Sequence, residues 1–110
     1  ILNSAQQITY RQLTIIGLVG QNIGNKFLLR LKNYRDEENI DIELQFLLQD
    51  LFTLENLGVI ERKDDTALLY FGDVVPGKMV LTKVGEQYFE LMNLNEVPET
   101  EFELELEVLK

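Results

Sequence analysis

From Ile42 to Leu57 the apolar residues Ile42, Leu44, Leu47, Leu48, Leu51, Phe52, Leu54 and Leu57 recur at the spacing of one helical face, and the pattern stops at Gly58. A helix this apolar along one side has to lie on a core. Asp41 and Glu43 stand where the positive end of a helix macrodipole favours acids, and Gly58 suits the C′ position. Immediately afterwards Val59-Ile60-Glu61-Arg62 changes to a strand pattern. A long helix leading through one glycine into a strand restricts the rest of the chain to an α+β arrangement around that junction.

The flanking segments extend this frame. Thr9 is placed as the cap of a first helix carrying Leu13, Ile15, Ile16, Leu18 and Val19, with Gly20 at its C′ position. Gly17 lies inside that helix at a cost of about 1 kcal/mol against Ala, which suggests close approach of another backbone. A second helix is expected from Asn25 to Tyr34, burying Phe27, Leu28 and Leu31. After the long helix, Ala67 to Phe71 and Met79 to Thr82 read as further strands, the first reached through a polar turn at Lys63 to Thr66. Thr82 then caps a helix with Val84, Tyr88, Leu91 and Met92 on one face and Phe89 beside them. Pro98 breaks the chain. From Glu101 to Val108 glutamate and apolar residues alternate strictly, so Phe102, Leu104, Leu106 and Val108 share one face of an expected amphipathic strand.

Two segments carry a resemblance. Leu51-Phe-Thr-Leu-Glu-Asn-Leu-Gly-Val-Ile-Glu-Arg62 resembles the passage from recognition helix into wing in MarR- and PadR-type regulators. Leu81-Thr-Lys-Val-Gly-Glu-Gln-Tyr-Phe89 is similar to the passage from the wing's last strand into the following helix. The resemblance covers about residues 9–92 and implies a winged helix-turn-helix with a small antiparallel sheet. The division expected is a winged-helix domain over 1–95 and an acidic amphipathic strand over 96–110.

Residue types narrow the function. The 110 residues contain no Cys and no His, and Ser4 is the only serine. Serine–histidine triads, Cys–His dyads and Cys/His zinc sites are therefore closed to this chain. Asp36, Glu37, Glu38 and Asp41 lack the spacing and glycine of a calcium loop, so no metal, cofactor or enzymatic activity is expected. The longest apolar run, Leu13 to Val19, is far short of the ~20 residues of a membrane span. A cytoplasmic location is expected. The start at Ile1 gives the expectation of a domain excised from a longer protein.

Charge weighs on the partner. The net charge is −9, and the last fifteen residues carry six glutamates against Lys110 alone. Winged-helix regulators use the third helix to read the major groove, with basic residues on the phosphates. Here Asp36 to Glu61 holds eight acids and no Lys or Arg. Gln45 and Gln49 are suited to adenine edges, and Arg62 and Lys63 stand at the wing. Those four residues are the contacts of the alternative reading, a DNA-binding regulator. The reading preferred on charge is a protein–protein interaction or oligomerisation module. Its tail strand would pair with its own sheet, pair with a second copy through residues 100–109, or stay disordered until another protein accepts it. Lys26, Arg30, Lys32 and Arg35 form a basic cluster suited to an acidic surface such as the tail glutamates.

Overall fold

Thr9 opens the first helix through a reciprocal cap. Its Oγ1 accepts from the Gln12 amide (3.1 Å), and Gln12 Oε1 accepts from the Thr9 amide (3.0 Å). The computed structural model describes residues 8–64 and 66–110; Ser4, and Asp65 of the expected polar turn, lie outside them. Among the described residues the chain is an α+β fold of four helices and one small sheet. The helices are α1 (Tyr10–Gln21), α2 (Ile42–Asn56), α3 (Lys83–Leu91) and α4 (Glu103–Val108). The strands are β1 (Ile60–Arg62) and β2 (Met79–Leu81). They pair antiparallel, with Ile60 opposite Leu81 and Arg62 opposite Met79.

The helix–glycine–strand junction forms where the apolar pattern placed it. Leu47, Leu48, Leu51 and Leu54 of α2 are buried against Ile15, Ile16 and Leu18 of α1, and Val59 and Ile60 continue the same core. Each such side chain contributes about 1.5–3 kcal/mol on burial. Gly58 takes φ +76°, the left-handed region that suits glycine after a helix. Thr82 closes the junction from the other side. Its hydroxyl accepts from the Gly85 amide (3.2 Å) and donates to the Gly58 carbonyl (2.5 Å), while its own amide donates to Val59 O (3.1 Å). The two segments that carry the resemblance are thus bonded to each other.

Four expectations fail, each for a physical reason. No helix spans Asn25 to Tyr34. After α1 one 3₁₀ turn, Ile23–Asn25, leads into irregular chain. Asparagine side chains take over the backbone there. Asn22 Oδ1 accepts from the Phe27 amide (2.9 Å), and Asn25 bonds both the N–H (2.9 Å) and the carbonyl (3.1 Å) of Leu29. Phe27 and Leu29 are buried, and Leu28 and Leu31 are not.

Ala67 to Phe71 is not a strand. The Leu69 amide donates to Asp73 Oδ2 (2.8 Å) and a 3₁₀ turn follows at Phe71–Asp73, so a carboxylate replaces the neighbouring strand. The C-terminal strand is likewise absent. Glu99–Phe102 is a 3₁₀ turn and Glu103–Val108 is helical. Glutamate and leucine are good helix formers, and in a helix Phe102, Leu106 and Leu109 come to one side. Phe102 and Leu109 are fully buried in the core shared with α1 and α2, and Leu109 O accepts from the Arg30 amide (3.0 Å).

Within α1 the roles of the glycines change. The helix runs through Gly20 to Gln21, and a Cβ on Gly20 would lie 2.3 Å from the Phe89 ring, whereas one on Gly17 would meet Phe102 at 3.5 Å. Close approach therefore belongs to Gly20, and the neighbour there is an aromatic side chain.

Candidate interaction surfaces

The outer face of α2 holds the residues expected to read DNA. Gln45 and Gln49 are exposed, as are Ile42 and Phe46 beside them. Arg11 from α1 lies 5.9 Å from the Phe46 ring centroid and pairs with Asp50 at 2.5 Å. Gln12 Nε2 also donates to Asp50 (3.3 Å), which ties α1 to α2. Arg62 turns back on Asp64 at 2.8 Å. The Thr66 amide, with Arg62 near, holds the Asp64 carboxyl below the usual range. Of the four expected contacts, the two glutamines share a face, while Arg62 is engaged by an acid and Lys63 faces elsewhere.

The four bases expected as one patch are divided by the irregular loop. Arg30 stacks 4.0 Å over Tyr34 and donates to Glu37 (2.8 Å) and to the carbonyls of Lys32 (3.0 Å) and Asn33 (2.8 Å). Arg35 pairs with buried Asp73, and this bond holds the Asp73 carboxyl low despite its burial. Lys26 lies 5.1 Å from the Phe27 ring and remains exposed, as does Lys32. Arg30 thus braces the loop on itself, and Arg35 fastens it to the 3₁₀ turn at Phe71–Asp73. Beside them an open cleft of about 420 Å³ separates Tyr34 to Ile40 from Gln45 and Tyr70 to Gly72.

The expected tail face is split by the helix. Phe102 is buried, Leu106 and Val108 are half-buried, and Leu104 is 53% exposed. The four glutamates no longer line one face. Glu105 is buried, and that burial raises its pKa against the weaker opposing influence of a hydrogen bond and Arg11. Glu101, Glu103 and Glu107 are exposed.

Two apolar surfaces were not expected. The first follows the outer side of β2. Ile23, Leu28 and Leu31 are 81%, 77% and 60% exposed, and Leu28 has φ +56°, a strained value for leucine. A groove of about 430 Å³ runs between Leu28, Leu31, Lys63, Lys78 and Val80, and a second of about 420 Å³ continues past Lys63 to Ile23 and Phe89. The period-two burial of Phe27, Leu28 and Leu29 is the signal that separates this extended loop from a helix.

The second surface is on α3. Sequence periodicity put Val84, Tyr88, Leu91 and Met92 on one face of this helix, with Phe89 beside them. In the structure Gly85 and Phe89 dock α3 instead, and Leu91 (80%) and Met92 (52%) face outward. The deciding feature is Gly85, whose missing side chain lets the helix backbone approach the Val59 carbonyl. No known protein family, characterised protein or solved structure matches this chain.

Proposed function

We propose that this chain is an acidic interaction domain of winged-helix type, and that the lysine-bearing groove along β2 receives an acidic, partly apolar segment of a protein partner. The winged-helix frame is supported by the order α1, α2, β1, β2, α3 and by the Gly58–Thr82 junction; among the described residues it lacks a regular second helix and the middle strand of the wing. The observation that carries the partner reading is the groove itself. Leu28 and Leu31 stand exposed there with Lys63 and Lys78 as its cations, and the groove continues past Lys63 to exposed Ile23, where Glu86 is the one acid of the lining, on a chain of net charge −9. Exposed apolar area rimmed by charge marks interaction sites, and complementary charge selects acidic partners.

A labelled peptide alternating Glu and Leu tests this by fluorescence anisotropy. Binding is expected to weaken with salt, and Lys63→Glu with Lys78→Glu to reduce it at least tenfold. Equal binding of a Lys–Leu peptide overturns the reading. The second reading is a DNA-binding regulator, favoured by the shared exposure of Gln45 and Gln49 on α2. Asp41, Glu43 and the Arg62–Asp64 pair oppose it, since phosphate contacts supply essentially all non-specific affinity. Retardation of random duplex DNA at low ionic strength supports this second reading; no retardation removes it.

A further inference from the structure

We infer that the outward face of α3 is a two-fold contact between two copies of this chain, packed helix against helix in antiparallel orientation. This rests on the reading as an interaction or oligomerisation module and gives one face a defined occupant, separate from the β2 groove.

Val84, Gln87, Tyr88 and Leu91 stand at i, i+3, i+4 and i+7, and these four residues surround a small apolar hollow of about 80 Å³. Four side chains in that pattern form the hole that a knob from a facing helix fills. Leu91 and Met92 extend the apolar area beside it. The opposite side of α3 is already occupied, with Gly85 against Val59 and Phe89 against Gly20; Tyr88 is half-buried against the core at the edge of the stripe, and Val84, Leu91 and Met92 stay exposed.

Charge selects the occupant. The flank of the stripe carries Lys83, Gln87 and Glu90, with the cation at the N-terminal end and the acid at the C-terminal end. A two-fold axis level with Gln87 and Tyr88 sets Val84 of one copy against Leu91 of the other. The same flank of each helix then faces its counterpart. Lys83 of one copy comes within about 3 Å along the axis of Glu90 of the other, at 1.5 Å per residue. The match occurs twice by symmetry. The two Gln87 amides, each both donor and acceptor, meet at the centre. A parallel pairing puts the charged flanks on opposite sides and loses the match. One helix face thus complements itself, which an isologous dimer requires.

The test is sedimentation velocity of the full chain over a wide concentration range, with circular dichroism to verify folding of each variant. A monomer–dimer equilibrium is expected. Leu91→Glu should weaken it at least tenfold, while Leu104→Glu, at an exposed site on another helix, should leave it unchanged. Lys83→Glu and Glu90→Lys should each weaken it, and the double variant should restore it. A strict monomer at every concentration overturns the α3 contact while leaving peptide binding by the β2 groove to be judged on its own. A dimer indifferent to Leu91→Glu, or one the double charge reversal fails to restore, also overturns it.

Discussion

A methyl group added at Gly85 would lie 2.1 Å from the Val59 carbonyl oxygen, whereas one added at Gly17 would meet the Phe102 ring at 3.5 Å and Leu94 at 3.6 Å. The first position has backbone for a neighbour and no room to yield. The second offers ordinary van der Waals contact inside a helix. Gly85→Ala should therefore destabilise the protein by about 3 kcal/mol or more. Gly17→Ala should stabilise it by about 0.5–1 kcal/mol, through helix propensity and a less disordered unfolded chain. Denaturant melts of both variants check the pair, and equal effects would contradict the packing described. Glu105 supplies a pH test at the same scale. Its pKa is raised in the folded protein by burial, so the folded state holds a proton that the unfolded state releases. The stability linked to that proton is complete below the ordinary carboxylate range and is lost as pH rises through the raised value. Glu105→Gln should thus be more stable than the parent at neutral pH, with the difference shrinking as pH falls. A gap that widened on acidification would mean that the carboxylate has a stabilising partner.

The C-terminal element separates two periodicities by measurement. A strand would give Phe102 and Leu104 the same environment; the helix buries Phe102 and leaves Leu104 outside. Phe102→Ala should cost about 3–5 kcal/mol, from lost burial and a cavity beneath α1. Leu104→Ala should stay within about 0.5 kcal/mol. Comparable costs would restore the strand. Alternation over eight residues cannot settle this, because a short helix of Glu and Leu also buries residues four and seven apart, and which wins depends on what lies beneath. The same limit explains the other misreadings. Asn22 and Asn25 bond the backbone of a loop that composition alone would allow as helix, and Asp73 stands in for the strand partner that the expected strand Ala67 to Phe71 required. What was legible is the segment where local pattern and tertiary contact agree: Thr9 before α1, the leucines of α2, Gly58, β1, β2 and the Thr82 cap. The exposed apolar faces were not legible. Periodicity marks which side of α3 is apolar, and only Gly85 and Gly20 decide which side docks.

At the scale of the molecule, the excess of acid sets how stability and binding respond to salt. The radius of gyration is 12.9 Å, and the screening length falls from about 30 Å at 0.01 M salt to about 8 Å at 0.15 M. At the lower salt, charges across the whole body act on one another, and a net charge of −9 opposes the folded state. At the higher salt only near neighbours count. The exposed ion pair between Arg30 and Glu37 is weakened by the same ions, but such a pair contributes at most about 1 kcal/mol, and the pair between Arg35 and buried Asp73 is screened much less. Repulsion therefore loses more than attraction does. The thermal midpoint should rise between 0.01 and 0.15 M NaCl, by several degrees if the relief reaches about 1 kcal/mol, since that moves a domain of this size by about 4–8 °C. A falling midpoint would mean that the local pairs outweigh the global field. Capture of an acidic peptide in the β2 groove must move the other way and weaken across the same range, because there the charges attract. Scanning calorimetry and anisotropy on one set of buffers measure the two slopes, and their opposite signs would place the repulsion in the body of the molecule and the attraction at Lys63 and Lys78.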